Sequence, residues 1–307
     1  MKIVMLERKV LGMDIDMSMF GTLGEVIEYE ISTNDQVTER IGDADVVIVN
    51  KLLMNEEHLK DCPNLKLILE AATGTDNIDL KYCESRGIKV KNVKGYSTAT
   101  VAQHTFALYF YLSEHLPYYD DYVKSGKYSS QPLFAHFENY FCELSGKTWG
   151  VVGMGEIGRS VARIADAFGA KVICHSPSGS EYDTVYEQVD FESLLKRSDV
   201  ISLHTPLTDA TRDMFGYDEF KAMKTGAYLI NVARGPIVNE EALARALDEG
   251  LIAGAGLDVV SREPLPSDSC LLSIKHPERL IVTPHMAWGS VEARTRLVDM
   301  MFKNACD

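Results

Sequence analysis

The sequence predicts an α/β protein of two doubly wound, parallel-sheet domains, one of them discontinuous. Three observations carry that expectation. Short β-branched runs alternate with longer helical patterns along the chain, a glycine cluster near residue 153 falls between a strand pattern and a helix pattern, and residues 97–116 are apolar on nearly every face. The 307 residues suffice for about two domains at roughly 100–200 residues each.

The first series of strand-like runs covers residues 2–6, 25–30, 46–50, 65–71 and 90–93, with helix-like, polar-faced stretches at 54–60 and 76–86. Strands alternating with helices imply a parallel sheet, because each crossover needs a connection long enough to return the chain. A second series follows at residues 148–153, 171–175, 200–204, 227–232, 253–258 and 280–283. Between the two series, Val101, Thr105, Leu108, Leu112 and Leu116 recur at helical steps while Ala102, Phe106, Phe110 and Tyr111 fill the other faces. A helix apolar all round belongs between packed layers, so a domain junction falls near residue 98.

Composition excludes several classes of protein. Hydrophobic residues make up 46% and charged residues 25%, ordinary globular values that rule out disorder, collagen and coiled coil. With 31 Lys and Arg against 45 Asp and Glu, the net charge is −14, a field that repels phosphate backbones and anionic lipid headgroups. No local basic patch offsets it, so neither nucleic acid nor membrane is an expected partner. No apolar run reaches the roughly 20 residues that span a bilayer. Residues 1–10 read as a first strand rather than a signal peptide. Cys62, Cys83, Cys142, Cys174, Cys270 and Cys306 are scattered without metal-type spacing, which fits free thiols in a reducing cytoplasm and no bound metal.

The sharpest local signal is Gly153-Met-Gly155-Glu156-Ile157-Gly158, which ends a strand pattern and opens a helix carrying Ile157, Val161, Ile164, Ala165 and Phe168 on one face. Gly153 allows the tight turn, Gly155 lets backbone approach a pyrophosphate, and Gly158 lets helix and strand pack closely. Amides at the helix start then face the anion. With a second strand pattern at 171–175 in register, the motif reads as a Rossmann-like dinucleotide site for NAD(H) or NADP(H). An NAD site typically places Asp or Glu at the end of that second strand to bind the ribose 2′-OH. Here Ser176 stands there, followed by Pro177-Ser178-Gly179-Ser180, with no carboxylate to repel a 2′-phosphate and no cation to pair with one.

Three later segments place reactive side chains at strand ends. Arg234 follows the apolar strand pattern at 227–230, where a planar guanidinium suits either a substrate carboxylate or a structural ion pair. Glu263 precedes Pro264 in the segment that begins Gly256-Leu-Asp258, where a loop carboxylate is equally at home in solvent. His285 follows Thr283-Pro284, just past the apolar run 280–282, and imidazole is the side chain best suited to proton exchange near neutral pH. Hydride transfer to a 2-keto acid needs a cation for the carboxylate and carbonyl, an acid for the developing alkoxide, and a carboxylate to orient that acid. Arg234, His285 and Glu263 are the candidates in turn.

These residues resemble the D-isomer-specific 2-hydroxyacid dehydrogenase family over nearly the whole chain. The matching stretches are Gly150-Val-Val-Gly-Met-Gly-Glu-Ile-Gly158, His204-Thr-Pro-Leu-Thr, Asn231-Val-Ala-Arg-Gly, Gly256-Leu-Asp-Val with Glu263-Pro264, and Thr283-Pro-His. Val49-Asn-Lys51, Gly95-Tyr-Ser-Thr98, Val101-Ala-Gln-His-Thr105 and His285-Met-Ala-Trp288 resemble its glycerate dehydrogenase (hydroxypyruvate reductase) branch. The resemblance implies a flavodoxin-like substrate domain of residues 1–98 plus 286–307 and a Rossmann domain of residues 99–285. It implies that Arg234, Glu263 and His285 are catalytic, and that Lys51, Gly74, Thr75 and Trp288 contact substrate with Arg234. It implies further that Glu156, Ile157, Ser176, Thr205, Pro206, Val232, Ala233 and Asp258 line the cofactor, Asp258 near its carboxamide. A small 2-keto or 2-hydroxy acid is the implied partner. A homodimer formed through long helices such as 97–116 is implied as well.

Other proteins would share part of this pattern. A D-lactate-type dehydrogenase would use the same constellation, and a co-repressor-like protein would sense the dinucleotide without turnover. A formate dehydrogenase would carry glutamine in place of Glu263, and a methyltransferase would share only the glycine loop.

Overall fold

The computed structural model describes residues 1–306, which divide into two compact units: residues 1–97 with the chain from Trp288 onward, and Thr98–Ala287. The first cut falls where the helix Thr98–Ser113 begins. The second falls after Ala287, whose amide is tied back to Asp258. Asp307, the end of the first expected domain, lies outside the described residues.

The first unit contains β1 (Lys2–Met5), β2 (Glu25–Glu28), β3 (Val46–Val49), β4 (Leu67–Glu70) and β5 (Lys89–Lys91). Its sheet is wholly parallel in the order β2-β1-β3-β4-β5, the flavodoxin-like doubly wound arrangement. Side chains alternate across a strand, so each face needs its own cover. Ile3, Met5, Ile48 and Leu69 pack under Leu297, Val298 and Met301 of the helix Val291–Cys306. Val4, Val47, Val49 and Ile68 meet Val37, Ile41, Leu59 and Cys83 on the other face. The helices expected at 54–60 and 76–86 are shorter, Glu56–Leu59 and Leu80–Ser85. Asn55 and Asp79 act as N-caps, their side chains accepting from the amides of His58 and Tyr82 and fixing where each helix starts.

The second unit contains β6 (Thr148–Val152), β7 (Lys171–His175), β8 (Glu187–Gln188), β9 (Val200–Leu203), β10 (Tyr228–Asn231), β11 (Gly254–Leu257) and β12 (Leu280–Val282). Its parallel order, β12-β11-β10-β9-β6-β7-β8, is the classic Rossmann order extended by one strand. The two-residue, polar β8 is an edge strand with no hydrophobic pattern to reveal it in the sequence. Trp149, wholly buried on β6, donates its indole N–H to Ser202 Oγ at 2.8 Å and stacks near Phe106 of the helix Thr98–Ser113.

That helix corrects one expectation. The apolar run 97–116 is not one helix: His115 adopts a left-handed φ of 50°, and a second helix runs Leu116–Lys124 with Pro117 in its first turn. Proline has no N–H for the preceding helix to use and would clash with its last turn. Leu116, expected inside, is therefore exposed. Thr98–Ser113 packs against the helix Glu156–Ala167 and the sheet of its own unit.

Candidate active site

The carboxyl ends of β6, β9, β10, β11 and β12 lie along one edge of the seven-stranded sheet, and the chain reverses strand order between β6 and β9. Open α/β sheets bind ligands at such a switch point. Gly153 takes a φ of +90°, and a Cβ there would meet the His204 carbonyl at 2.8 Å. A Cβ on Gly158 would stand 2.0 Å from the Gly153 carbonyl oxygen. The turn is thus closed by backbone on both sides. At Gly155, by contrast, no atom lies within 4 Å of a Cβ position, directly before the helix Glu156–Ala167. Open space beside unsatisfied first-turn amides fits a dinucleotide pyrophosphate.

Ile157 and Glu156 open that helix. Thr205 and Pro206 follow β9, and Val232 and Ala233 follow β10, on the same sheet edge. Ser176 follows β7, its hydroxyl 3.2 Å from that of Ser178, which donates to Ser180 at 3.1 Å. His204, at the end of β9, has both ring nitrogens buried without hydrogen-bond partners among the described residues. Burial pushes its pKa down to about 3, so it is neutral.

Arg234 is held by a backbone staple. Asn231, fully buried, accepts from the Ala233 amide at 3.0 Å and donates to the Arg234 carbonyl at 2.9 Å. The Arg234 guanidinium donates to the Ala233 carbonyl at 2.8 Å. The next residue, Gly235, must be glycine: a Cβ would overlap Val260 at 2.0 Å. That close approach seats the Arg234 turn against the loop that carries Glu263.

His285 also sits in a left-handed conformation, φ 51°. Its amide donates to the Asp258 carbonyl at 2.8 Å, and the Asp258 amide to the Asn231 carbonyl at 2.9 Å. The hydrogen-bond ladder thus continues past the ends of β10, β11 and β12. His285 Nδ1 lies 2.8 Å from Glu263 Oε2. A carboxylate only accepts, so Nδ1 carries the proton of this pair and Nε2 takes no part in it. The second unit therefore brings together the three residues proposed for chemistry and the glycine loop.

Asp258, which the resemblance places near the cofactor carboxamide, is held by hydrogen bonds within its own unit. Its carboxylate is 1% exposed. Oδ1 accepts from the Thr283 hydroxyl at 2.6 Å and the Met286 amide at 2.9 Å, and Oδ2 accepts from the Ala287 amide at 2.8 Å. Burial pushes its pKa up, but hydrogen bonds from His104, Thr283 and the amides of Ala287 and Met286 outweigh that, and the net shift is downward. Asp258 clamps residues 283–287, the strap that carries His285. His104 joins the clamp from the helix Thr98–Ser113, 3.0 Å from Thr283 Oγ1 and 3.4 Å from Asp258 Oδ1. Because Thr283 donates to Asp258, it must accept from His104, so His104 carries its proton on Nε2. His104 and Thr283 stood inside motifs of the sequence, but a clamp is a spatial relation between a helix and a strand end that no spacing discloses.

The remaining predicted residues belong to the first unit. Lys51 follows β3, where Glu7 Oε2 accepts from the backbone amides of Asn50 and Lys51 at 2.8 and 2.9 Å. Gly74 and Thr75 lie in the turn after β4, and the Thr75 carbonyl accepts from the Ile78 amide at 3.0 Å. Trp288, half-buried, meets Tyr96 edge-on at 6.4 Å.

A family model for "D-isomer specific 2-hydroxyacid dehydrogenase, NAD binding domain" matches residues 106–287. Glycerate dehydrogenase of Methylorubrum extorquens is 40% identical over 307 residues, covering 99% of this chain and 94% of the relative. Hydroxypyruvate reductase of Blautia hydrogenotrophica is 37% identical over 312 residues, covering 99% and 95%. The solved structure of D-lactate dehydrogenase from Aquifex aeolicus, complexed with NAD and lactic acid, matches with a TM-score of 0.84 at 30% identity, covering 100% of this chain and 94% of that one. Among the described residues, no helix is long and apolar enough to cross a membrane.

Proposed function

The chain belongs to the D-isomer specific 2-hydroxyacid dehydrogenase family, NAD-dependent oxidoreductases of a CH–OH group, and from that premise we propose that it reduces hydroxypyruvate to D-glycerate, or glyoxylate to glycolate. The observation that carries this reading is the 2.8 Å pair between His285 Nδ1 and Glu263, held on a clamped strap beside the Arg234 turn. Bound nicotinamide cofactor supplies the hydride. Arg234 anchors the substrate carboxylate and draws electron density toward the carbonyl oxygen. His285 delivers its Nε2 proton to that oxygen as negative charge develops, and Glu263 holds the ring and stabilises the imidazolium before transfer. In the oxidative direction His285 takes the hydroxyl proton instead. We assign Lys51, Gly74, Thr75 and Trp288 to substrate contacts. The glycine loop with Glu156 and Ile157, together with Ser176, Thr205, Pro206, Val232, Ala233 and Asp258, is assigned to the cofactor.

Nicotinamide absorbance followed with hydroxypyruvate, glyoxylate and pyruvate, each with NADH and NADPH, tests the assignment. Hydroxypyruvate or glyoxylate should give the highest kcat/KM. The hydroxyls of Ser176, Ser178 and Ser180 lack the carboxylate that repels a 2′-phosphate, so NADPH should also support turnover. His285→Ala should lower kcat about 10²–10⁴-fold while NADH still binds, and Arg234→Ala should chiefly lower kcat/KM. Wild-type turnover in His285→Ala would sink the acid assignment.

We further read the protein as a homodimer. Leu133, Phe134, Phe137, Tyr140 and Phe141 are exposed together in the segment after Leu116–Lys124, Phe134 at 92%, beside a groove of about 760 Å³ lined by Tyr111, His115, Tyr118 and Tyr228. Contiguous exposed aromatics of this kind mark an interaction surface. The unpaired state of all six cysteines supports a reducing, cytoplasmic setting. Sedimentation equilibrium should give a dimer that Phe134→Asp with Phe137→Asp converts to monomer.

A further inference from the structure

Glu70 closes β4 as a fully buried acid that the chemistry above does not use. Asn77 Nδ2 donates to its Oε2 at 3.2 Å, and Oε1 has no partner among the described residues. The surrounding loops are those assigned to substrate. The Asn77 amide group also donates to the Leu52 carbonyl at 3.0 Å, and the Asn77 carbonyl accepts from the Met54 amide at 2.8 Å, joining the loop after β3 to the turn after β4. Asn50 donates to the Ala71 carbonyl at 2.8 Å, and Thr73 to the Val93 carbonyl at 2.9 Å. Glu70 therefore forms part of the floor under Lys51 and residues 72–75.

Three charged groups act on it from the packed elements: Glu7 after β1, Lys51 after β3 and Asp76 in the turn after β4. Burial is the largest influence and pushes the acid up to about 8. Glu7 and Asp76 push the same way, while the Asn77 hydrogen bond and Lys51 oppose them. An ionised carboxylate with one unmet oxygen, near two other acids, is far costlier than the neutral acid with one unmet group.

We propose that Glu70 is a positioning residue that supports the substrate-contacting loops around Lys51, Gly74 and Thr75 as a neutral carboxylic acid, and that its ionisation is what weakens substrate binding on the alkaline side. A negative charge in that floor would repel the anionic substrate and disturb Asn77, the link between the two loops. The inference rests on the dehydrogenase reading, which assigns Lys51, Gly74 and Thr75 to substrate contacts.

The test compares wild type with Glu70→Gln, which keeps the shape and hydrogen-bonding capacity of the neutral acid. KM for hydroxypyruvate, kcat and the NADH dissociation constant are measured from about pH 6.5 to about pH 9.5. Wild-type KM should rise above about pH 8, approaching tenfold per pH unit, while Glu70→Gln holds its neutral-pH KM throughout. The kcat profile and NADH affinity should be shared. Parallel KM profiles, or a uniform loss in Glu70→Gln at every pH, would overturn the proposal. A second measurement requires no variant to be active: ¹³C NMR of the Glu70 carboxyl, assigned by its absence in Glu70→Gln, should show the protonated form at pH 7. An ionised signal there overturns the proposal. If wild type reduces no 2-keto acid, the dehydrogenase reading fails by itself. The carboxyl signal, and the pH dependence of oxalate binding in the two proteins, then still decide the role of Glu70.

Discussion

Asp258 and Glu70 stand at the carboxyl ends of strands in separate units, β11 and β4, and both are buried almost completely, at 1% and 0% exposure. Their surroundings push them in opposite directions. Asp258 collects Thr283, Met286 and Ala287 within 2.9 Å, with His104 at 3.4 Å, and keeps its charge. Glu70 has one donor, Asn77, and two acids nearby, and keeps its proton. Equal burial thus produces opposite charge states, decided by how many donors the chain turns inward. At Asp258 the donors come from the strap that the carboxylate restrains, so the charge and the position of His285 are one structural fact.

The largest test of that contrast removes the acceptor from the strap. In Asp258→Asn the amide cannot accept from both the Ala287 side and the Met286–Thr283 side, and one set of donors is left unmet. Stability should fall by about 2–4 kcal/mol. Because misplacing a catalytic group by about 1 Å costs on the order of 10²-fold, kcat should fall by a similar factor, with NADH affinity changed far less. A calorimetric Tm and steady-state kinetics read both effects. Asp258→Asn combined with His285→Ala should cost hardly more kcat than His285→Ala alone, since the strap has nothing left to position.

Stability against pH separates the two acids next. Glu70 holds its proton up to about 8 in the folded chain, against 4.5 as its ordinary value. The folded state therefore binds the extra proton across that window, and stability attributable to Glu70 declines as pH rises through it, by at most about 1.4 kcal/mol per pH unit. Glu70→Gln should grow more stable relative to wild type from about pH 4.5 to about pH 8 and hold that margin above. Asp258 runs the other way. With its folded pKa depressed, its contribution is complete above the ordinary carboxylate pKa and disappears as pH falls through the folded value. Chemical denaturation at a series of pH values should show the Glu70→Gln margin widening upward and the Asp258→Asn deficit narrowing in strong acid. A Glu70→Gln margin that is flat with pH would mean that the burial of Glu70 is relieved in solution.

Both sheets and the glycine turn were legible in the sequence, because hydrophobic period and glycine spacing are local properties. Arg234, Glu263 and His285 were legible as strand-end residues, and the structure adds the 2.8 Å pair between the last two. The clamp formed by Asp258 and the burial of Glu70 were not. The sequence places no donor near Asp258: Thr283, Met286 and Ala287 lie 25 to 29 residues away, and His104 comes from a different helix. Glu70 is one polar letter in the apolar run 65–71, and the burial of a strand's last residue depends on loops contributed by other segments. The end of the first helix in 97–116 is hidden for a local reason: Pro117 lies just beyond a stretch whose apolar pattern is otherwise unbroken.

The smallest expected effect also discriminates most finely, and it concerns Thr283. Its hydroxyl donates to Asp258 at 2.6 Å and accepts from His104, so Thr283→Val removes two hydrogen bonds while nearly preserving shape. If the two backbone amides carry the clamp, the strap should stay in place. His104, already 3.4 Å from Asp258 Oδ1, can then close on the carboxylate directly. The expected cost is about 0.5–1.5 kcal/mol and a roughly threefold loss of kcat, well short of Asp258→Asn. A loss in Thr283→Val as large as in Asp258→Asn would move the weight of the clamp from the Met286 and Ala287 amides to the side-chain relay. His104→Phe should then reproduce it, whereas an amide-held strap leaves His104→Phe close to wild type in kcat.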